Sequence, residues 1–285
     1  MLKLTPYSIN VRGRLFDLSQ PQVMGILNVT PDSFYSGSRM QTDAQIAARA
    51  EQIVEEGGTM IDLGAYSSRS GAADVSPEEE LSRLSGALGI VRGLFPDVVV
   101  SVDTFRAEVA RRCVEDYGAD IINDISGGTL DEDMFPTVAS LNVPYILMHM
   151  RGTPQTMQQQ TDYKDVTAEV LRYFGEKVDR LHAMGVSDII LDPGYGFAKT
   201  LEQNYQLLSR QRVFEVLDLP VLVGVSRKSM ICKVLGCTPE EALNGTSVLH
   251  ALALQQGTHI LRVHDVKEAV ETIKLVGMFH RSSTP

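Results

Sequence analysis

The chain has 285 residues, of which 44% are hydrophobic, and its formal net charge is −10. This length suits one large α/β domain or two small ones, and the acidic balance argues against a general nucleic-acid binder, which needs an excess of lysine and arginine. The three cysteines are scattered, as is typical of the reducing cytosol, and no segment resembles a signal peptide or a membrane span, so we expect a cytoplasmic protein without membrane partners.

Short apolar runs alternate with stretches of helical periodicity from Val23 almost to the end, the pattern of repeated βα units and a parallel sheet. The predicted strands are 23–27, 59–63, 98–103, 120–124, 144–149, 188–192, 220–225 and 259–263. The predicted helices are 43–56, 77–94, 106–117, 132–141, 166–184, 201–216, 245–256 and 266–276. Thr42 and Ser76 are expected to cap the first two helices.

Eight βα units in about 250 residues match the size of a TIM barrel, although an open doubly wound sheet has the same local pattern. The count of eight, without a GxGxxG motif after the first strand, favours an α/β fold of the (β/α)8 barrel type. Residues 1 to about 20 precede the repeat and are expected to pack beneath the barrel as a short strand or hairpin. Since no linker divides the chain, we predict a single domain over 1–285, with 1–20 as an N-terminal extension.

Polar residues end nearly every predicted strand, where a TIM barrel carries its active site. They are Asn28, Asp62, Asp103, Asn123, Asp124, His149, Asp192, Ser226 to Ser229, Arg262 and His264. Any single Asp there is more often a turn former, and His149 is equally well explained as a structural histidine. The whole set favours a ligand site, because carboxylates follow strands two to six whereas Arg227, Lys228, Arg262 and His264 belong to strands seven and eight.

This division of charge indicates the kind of ligand. Asp and Asn offer acceptors and an amide to the N–H and amino groups of a heterocycle, whereas Arg, Lys and His donate to phosphate oxygens. Arg262 and His264 lie two apart on a strand and therefore face the same side. The sequence predicts a flat nitrogen heterocycle that carries a phosphate or diphosphate.

Six motifs, in order along almost the whole chain, resemble those of the dihydropteroate synthases of folate biosynthesis. They are MGILNVTPDSF at 24–34, SVDTFRAEVA at 101–110, INDISGG at 122–128, DPGYGFAK at 192–199, SRKS at 226–229 and RVHDV at 262–266. The resemblance implies a homodimeric TIM barrel that uses Mg²⁺. It also implies that the chain joins 4-aminobenzoate to 7,8-dihydropterin-6-ylmethyl diphosphate, giving 7,8-dihydropteroate and diphosphate.

The resemblance, carried over motif by motif, also implies roles for individual residues. The pterin ring would be held by Asp103, Asn123, Asp192 and Lys228. The diphosphate would be bound by Asn28, Ser68, Arg69, Arg262 and His264, and Asn28 would also help to bind Mg²⁺. The 4-aminobenzoate would be bordered by Phe34, Lys228 and Ser229. The catalytic members of this set would be Asn28, Asp103, Lys228, Arg262 and His264.

The predicted chemistry is an SN1-like loss of diphosphate. Its departure from a CH2 group next to an electron-rich ring leaves a delocalised cation, so the enzyme mainly stabilises the leaving anion and positions the amine. Because an aniline nitrogen is neutral at pH 7, neither a covalent nucleophile nor a strong general base is required.

One segment departs from the family pattern. Residues 64–72 read GAYSSRSGA, where relatives typically have GGESTRPGA. Tyr66 replaces a glutamate and Ser70 replaces a proline, in a loop expected to close near 4-aminobenzoate. The change bears on how this chain discriminates 4-aminobenzoate from sulfonamide mimics, although the sequence gives no direction for the effect.

Two other interpretations remain open at this point. A pterin-binding methyltransferase shares the barrel and the pterin-holding acids but binds no diphosphate, so the SRKS and RVH cations favour the synthase. A pterin-binding paralogue without catalytic activity is the second, for which Tyr66 and Ser70 are the only hints.

Overall fold

A computed structural model of the chain describes residues 5–30, 42–66 and 75–282. The strands in these ranges are β1 Ser8–Val11, β2 Arg14–Asp17, β3 Gln22–Asn28, β4 Met60–Gly64, β5 Val99–Asp103, β6 Ile121–Asp124, β7 Tyr145–Met148, β8 Ile189–Asp192, β9 Leu222–Val223 and β10 Ile260–Val263. The α-helices are α1 Asp43–Glu55, α2 Pro77–Leu94, α3 Ala107–Glu115, α4 Met134–Leu141, α5 Val166–Ala183, α6 Leu201–Ser209, α7 Ser229–Leu235, α8 Leu243–Gln255 and α9 Val266–Ser282. None of the described helices is both long and apolar enough to cross a bilayer.

Strands β3 to β10 form a closed parallel barrel. Neighbouring strands pair in the order β8, β7, β6, β5, β4, β3, β10, β9. A parallel bridge between Leu191 and Val221 joins the two ends of this order. The (β/α)8 barrel predicted from the sequence is therefore confirmed, and the open doubly wound sheet is excluded.

Strands β1 and β2 form the predicted hairpin at the N-terminal end of the barrel. Val11 pairs with Arg14, and the two-residue turn between them has positive φ at Arg12 and Gly13, as a type I′ turn requires. Ile9 and Val11 pack in one apolar cluster with residues from the start of all eight barrel strands, namely Met24, Met60, Val99, Ile121, Ile146, Ile190, Leu222 and Ile260. The hairpin thus closes the end of the barrel opposite to the strand ends that carry the polar residues.

Helix α2 begins and ends as predicted, and Thr42 and Ser76 cap α1 and α2 through their side chains. Three helical segments differ from the prediction, and one of them is α9, which continues six residues beyond the predicted end at 276. No helix is predicted over α7, because its seven residues are too few to show a helical period in the sequence. The helix predicted over 201–216 is α6 followed by a 3₁₀ segment, Gln211–Leu217. At this change of helix type the side chain of Gln211 is buried, where it bonds to the hydroxyls of Tyr195 and Thr258.

Candidate active site

The strand register brings several predicted polar residues into one layer at the C-terminal end of the barrel. Asn28 pairs with Gly64, Gly64 with Asp103, and Asp103 with Asn123. A Cβ atom at Gly64 would lie 2.9 Å from Oδ1 of Asn28 and 3.8 Å from Cβ of Asp103. The missing side chain at Gly64 therefore leaves room for the side chains of its two neighbours in the layer.

A cavity of about 300 Å³ opens at this end of the barrel. It is lined by all the predicted site residues that fall in the described ranges, namely Asn28, Asp103, Asn123, Asp192, Lys228, Ser229, Arg262 and His264. Apolar surface is added by Ile125, Met148 and Phe197. The remaining predicted site residues, Phe34, Ser68 and Arg69, lie outside the described residues, as does Ser70.

Arg262 binds two carboxylates across the barrel. Its Nε donates to Oδ2 of Asp62 at 2.6 Å, and its Nη2 donates to Oδ2 of Asp103 at 2.9 Å. The same oxygen of Asp62 accepts from Nδ2 of Asn123 at 3.1 Å. Burial acts to lower the pKa of Arg262, but the two carboxylates outweigh it and raise the pKa, so the guanidinium is charged at any physiological pH.

Asp103 shares this guanidinium in a partly buried position, with its side chain 21% exposed. Burial raises the pKa of Asp103 to about 7; Arg262 acts in the opposite direction, and the charge of Asp62 acts in the same direction as burial. As a carboxylate Asp103 accepts N–H groups, and near neutral pH it also takes up a proton.

Lys228 is held by the loop that follows β8. Its Nζ donates to the carbonyl of Tyr195 at 2.7 Å and lies 4.8 Å from the centre of the Phe197 ring. Burial lowers the pKa of Lys228 to about 8, although the carboxylate of Asp192 opposes this shift. Asp192 is itself buried, and its Oδ1 accepts from the backbone N–H of Gly194 at 2.8 Å.

His264 contributes a neutral ring to the cavity. Its Nδ1 lies 3.0 Å from Oγ of Ser226, and its backbone N–H donates to the same hydroxyl at 3.1 Å. Burial, followed by the charge of Arg262, lowers the pKa of His264 to about 3. The ring therefore offers one N–H donor at neutral pH, whereas the sequence suggested a charged group here.

Arg227 also lines the cavity, but its guanidinium bonds to other parts of the chain. Its Nε and Nη2 donate to the two oxygens of Asp265 at 2.8 and 2.7 Å. Its Nη1 donates to the carbonyls of Pro239 and Glu240. The guanidinium therefore ties the β9 loop to neighbouring segments, which leaves Lys228 and Arg262 as the charged donors among the predicted cations that line the cavity.

Two other strand-end residues have structural roles, and neither lines the cavity. Asp124 accepts hydrogen bonds from the hydroxyl of Tyr145 and from the backbone N–H groups of Ser126 and Gly128. It thereby shapes the turn after β6. His149, which the sequence left open, is buried, and its Nδ1 lies 3.0 Å from Nζ of Lys199.

Asp62 belongs to the strand-end set that the sequence predicts, but no individual role in ligand binding follows from the sequence. It is fully buried and holds both Arg262 and Asn123. The available signal was a single carboxylate inside the apolar run TMIDL, because a buried acid needs a partner.

Tyr66, one of the departures from the family pattern, lines the cavity. Its ring meets that of Phe105 edge to face, with the ring centres 5.0 Å apart. Its hydroxyl accepts from Nε2 of Gln155 at 3.3 Å. Tyr66 therefore connects the end of β4 to the loops that follow β5 and β7.

A magnesium ion commonly binds one or two protein oxygens and completes its shell with phosphate and water. No cluster of three His, Cys, Asp or Glu side chains suited to a metal occurs in ranges 5–30, 42–66 and 75–282. Asn28 lines the cavity and carries one amide oxygen. The amide oxygen of Asn28 is therefore compatible with a metal ion that takes its other ligands from phosphate and water.

Residues 24–264 match the family of pterin binding enzymes. The chain is 45% identical over 267 residues to the dihydropteroate synthase of Escherichia coli strain K12, an alignment that covers 93% of this chain and 94% of that protein. It resembles the structure of a Yersinia pestis dihydropteroate synthase in complex with a sulfonamide drug, with a TM-score of 0.91 and 39% identity over 97% of this chain and 100% of the other. It also resembles the structure of the Xanthomonas albilineans dihydropteroate synthase with 4-aminobenzoic acid, with a TM-score of 0.86 and 35% identity over 99% of this chain and 100% of the other. The chain therefore belongs to the pterin-binding enzymes and, among them, to the dihydropteroate synthases.

Proposed function

We propose that the cavity joins 4-aminobenzoate to 7,8-dihydropterin-6-ylmethyl diphosphate, giving 7,8-dihydropteroate and diphosphate. The observation that carries this proposal is the side-by-side arrangement of buried or partly buried acceptors and charged donors in one cavity. Asp103, Asn123 and Asp192 supply the acceptors, and Lys228 and Arg262 supply the donors. A methyltransferase that acts on a pterin without diphosphate would not need these charged donors.

The pterin ring is assigned to the acceptor half. Its ring N–H and amino groups bind the carboxylates of Asp103 and Asp192 and the amide of Asn123, and Lys228 donates to its carbonyl oxygen. Ile125, Met148 and Phe197 offer apolar surface to the two faces of a flat ring.

The diphosphate is assigned to Arg262 and His264. Arg262 remains charged because of its two carboxylate partners, and the neutral ring of His264 adds an N–H donor. We further assign Ser68 and Arg69 to this half, and Phe34 and Ser229 to the border of the 4-aminobenzoate site. Sulfonamides, as mimics of 4-aminobenzoate, are expected to compete there.

In the reaction, the bond between the CH2 carbon and the diphosphate oxygen breaks, and the electron pair leaves with the oxygen. Arg262 and His264 stabilise the negative charge that develops on the leaving group. The neutral aniline nitrogen then bonds to the CH2 carbon and loses a proton to water or to the released diphosphate. The buried acceptors hold the ring while its positive charge is delocalised, so no covalent nucleophile is required.

Asn28 is the protein ligand that we assign to Mg²⁺. When bound, the metal neutralises diphosphate charge and so makes it a better leaving group. The lack of a side chain at Gly64 keeps space beside the Asn28 amide, which supports this assignment.

We also propose that the chain acts as a homodimer in the cytoplasm. Large apolar side chains are exposed on three successive helices, α7 to α9, and those are Val234, Leu235, Val248, Leu252, Leu275, Met278 and Phe279. Exposed apolar side chains on neighbouring helices are compatible with a subunit interface, where they would be covered by the partner. The three cysteines are unbridged, which suits a reducing compartment.

The test is incubation with the pterin diphosphate and Mg²⁺, measuring diphosphate release with and without 4-aminobenzoate. We expect release that depends on the amine and matches the dihydropteroate formed. Binding of the pterin substrate without turnover would instead identify a non-catalytic paralogue and contradict the proposal.

A further inference from the structure

Lys199 is buried beside the cavity without lining it. Its Nζ lies 2.9 Å from the carbonyl oxygen of Gly194, 3.0 Å from that of Phe197, and 3.0 Å from Nδ1 of His149. An ammonium group has three N–H donors and no acceptor. The three atoms around Nζ therefore satisfy a lysine ammonium completely.

The state of His149 agrees with this arrangement. Burial, followed by the positive charge of Lys199, lowers the pKa of His149 well below its ordinary value. The ring is therefore neutral, and a neutral imidazole has one nitrogen that accepts. With Lys199 in its charged form that nitrogen is Nδ1, since an ammonium group only donates. Burial also lowers the pKa of Lys199, to about 7, while Asp192 acts to raise it.

The loop that Lys199 binds has a constrained backbone. Gly194, Gly196 and Ala198 all have positive φ, and for alanine this conformation is strained. A Cβ atom at Gly194 would lie 2.1 Å from the carbonyl oxygen of His149. The loop is therefore pressed against the end of β7, and Lys199 bonds to it at Gly194 and again at Phe197.

The same loop holds a residue of the cavity on its other side. The carbonyl of Tyr195 accepts from Nζ of Lys228, and the ring of Phe197 lies beneath that nitrogen. The backbone of Gly194 donates to Asp192. A shift of the 194–197 loop would therefore move a cation and a carboxylate of the pterin half together.

We propose that Lys199 is a positioning residue for the pterin half of the cavity. It fixes the 194–197 loop from behind, so that Lys228 and Asp192 keep the positions in which they meet the pterin ring. This inference rests on the proposed function, which assigns Lys228 and Asp192 to the pterin.

The test compares Lys199→Met with wild type. Methionine is unbranched, retains the length of the lysine chain up to Cε and lacks the Nζ donors, while Asn204 still accepts from the backbone of Gly196. We expect the KM for the pterin diphosphate to rise about 10- to 100-fold, as a displacement of about 1 Å can cause, and the KM for 4-aminobenzoate to change less than about threefold. Lys233→Met, at an exposed lysine of α7, is the matched control. Unchanged pterin affinity, or an equal rise in both KM values, would overturn the proposal.

A second variant keeps the test decisive if Lys199→Met does not fold. His149→Phe retains a ring against Tyr173 and removes the third acceptor. We expect it to weaken pterin binding in the same direction, measured through the fluorescence of 6-hydroxymethylpterin. Where both variants fold, their combination should be no worse than Lys199→Met alone, because the two residues act through one contact. Full pterin affinity in His149→Phe, or effects of the two changes that simply add, would contradict the inference.

Lys228→Met separates this inference from the proposed function. If that variant loses pterin affinity while Lys199→Met keeps it, only the role of Lys199 is wrong. If Lys228→Met binds the pterin as wild type does, the assignment of Lys228 is wrong, and the inference fails with it.

Discussion

Asp62 organises the charged side of the cavity at the scale of single residues. One of its oxygens accepts from both Arg262 and Asn123, two residues assigned to different parts of the substrate. The carboxylate is fully buried, and a buried charge is stable only when it is paired and hydrogen-bonded. Asp62 therefore fixes the distance between the ring-binding and diphosphate-binding groups.

Replacing Asp62 with asparagine should disturb both groups at once. The amide oxygen can still accept from both donors, but the side chain has lost the charge that pairs with Arg262, so both hydrogen bonds become weaker. We expect kcat/KM for the pterin diphosphate to fall about 10- to 100-fold, measured by diphosphate release. Asp97→Asn is the control, since the Asp97 side chain is 90% exposed. Activity within twofold of wild type in Asp62→Asn would refute this role.

The charge of Lys228 should set the alkaline side of the pH profile. Because burial lowers its pKa to about 8, the free enzyme loses this charge as the pH rises above that value. The charged groups that act on it are Asp192, Arg262 and Asp103. The log of kcat/KM, which reports ionisations of the free enzyme, should fall with a slope of about one per pH unit above pH 8.

The control for this pH dependence is Lys228→Arg. Arginine stays protonated throughout this range, so the variant should be less active but should lose the alkaline decline up to pH 10. The measurement is kcat/KM for the pterin diphosphate at saturating 4-aminobenzoate. An alkaline decline that persists at the same pH in Lys228→Arg would assign it to another group.

The sequence predicted the cavity residues better than the contacts between them. Asn28, Asp103 and Arg262 end or lie near the ends of strands, where the barrel geometry brings them together whatever their neighbours are. The neutral state of His264 and the engagement of Arg227 by Asp265 depend on tertiary burial and on a partner 38 residues away, which no local pattern reveals. The link from Lys199 to His149 is hidden for the same reason, since the two residues are 50 positions apart.

At the scale of elements, the hairpin of β1 and β2 and the cavity occupy opposite ends of the barrel. Ile9 is 2% exposed and packs among the first residues of the barrel strands, whereas Leu15 on the same hairpin is 80% exposed. Stability at one end and chemistry at the other should therefore respond to different substitutions, as expected for this fold.

Ile9→Ala should test this separation. Loss of a buried isoleucine side chain costs about 2–5 kcal/mol of unfolding free energy, measured by urea denaturation, while both KM values should stay as in wild type. Leu15→Ala, at the exposed position, should change neither quantity. A selective change in the pterin KM of Ile9→Ala would show that the hairpin reaches the cavity.

Element types were predictable because their apolar periods are strong, and Pro77 with its acidic neighbours fixes the start of α2. The prediction failed where the apolar period does not distinguish an α-helix from a 3₁₀ segment, or where the helix is too short to show a period. A helical pattern continues from α6 into the 3₁₀ segment Gln211–Leu217, although the buried bonds of Gln211 belong to other parts of the chain. Helix α7 is too short to carry a pattern of its own.

The apolar surface of helices α7 to α9 is a feature of the whole molecule. Leu275 is 72% exposed and Val248 is 51% exposed, on adjacent helices. A charge placed in such a surface would be buried without a partner on association, which is costly. We therefore expect Leu275→Glu to shift the protein from dimer to monomer in sedimentation velocity experiments at micromolar concentration.

Leu15→Glu on the distant hairpin is the matched control and should remain dimeric. Since Leu275 is exposed, the monomeric variant should keep its fold, judged by circular dichroism. A wild-type protein that sediments as a monomer, or a Leu275→Glu variant that remains a dimer, would remove α9 from the proposed interface.

The catalytic account of the whole molecule depends on the cationic half of the cavity binding the leaving diphosphate. The direct measurement is turnover in Arg262→Ala, together with inhibition by inorganic diphosphate. We expect kcat to fall about 100- to 1000-fold, as for loss of one donor to a developing anion, and the inhibition constant for diphosphate to rise in the same variant. Arg14→Ala, whose side chain is 87% exposed in wild type, should change neither value. Unchanged turnover and unchanged diphosphate inhibition in a folded Arg262→Ala variant would contradict the account.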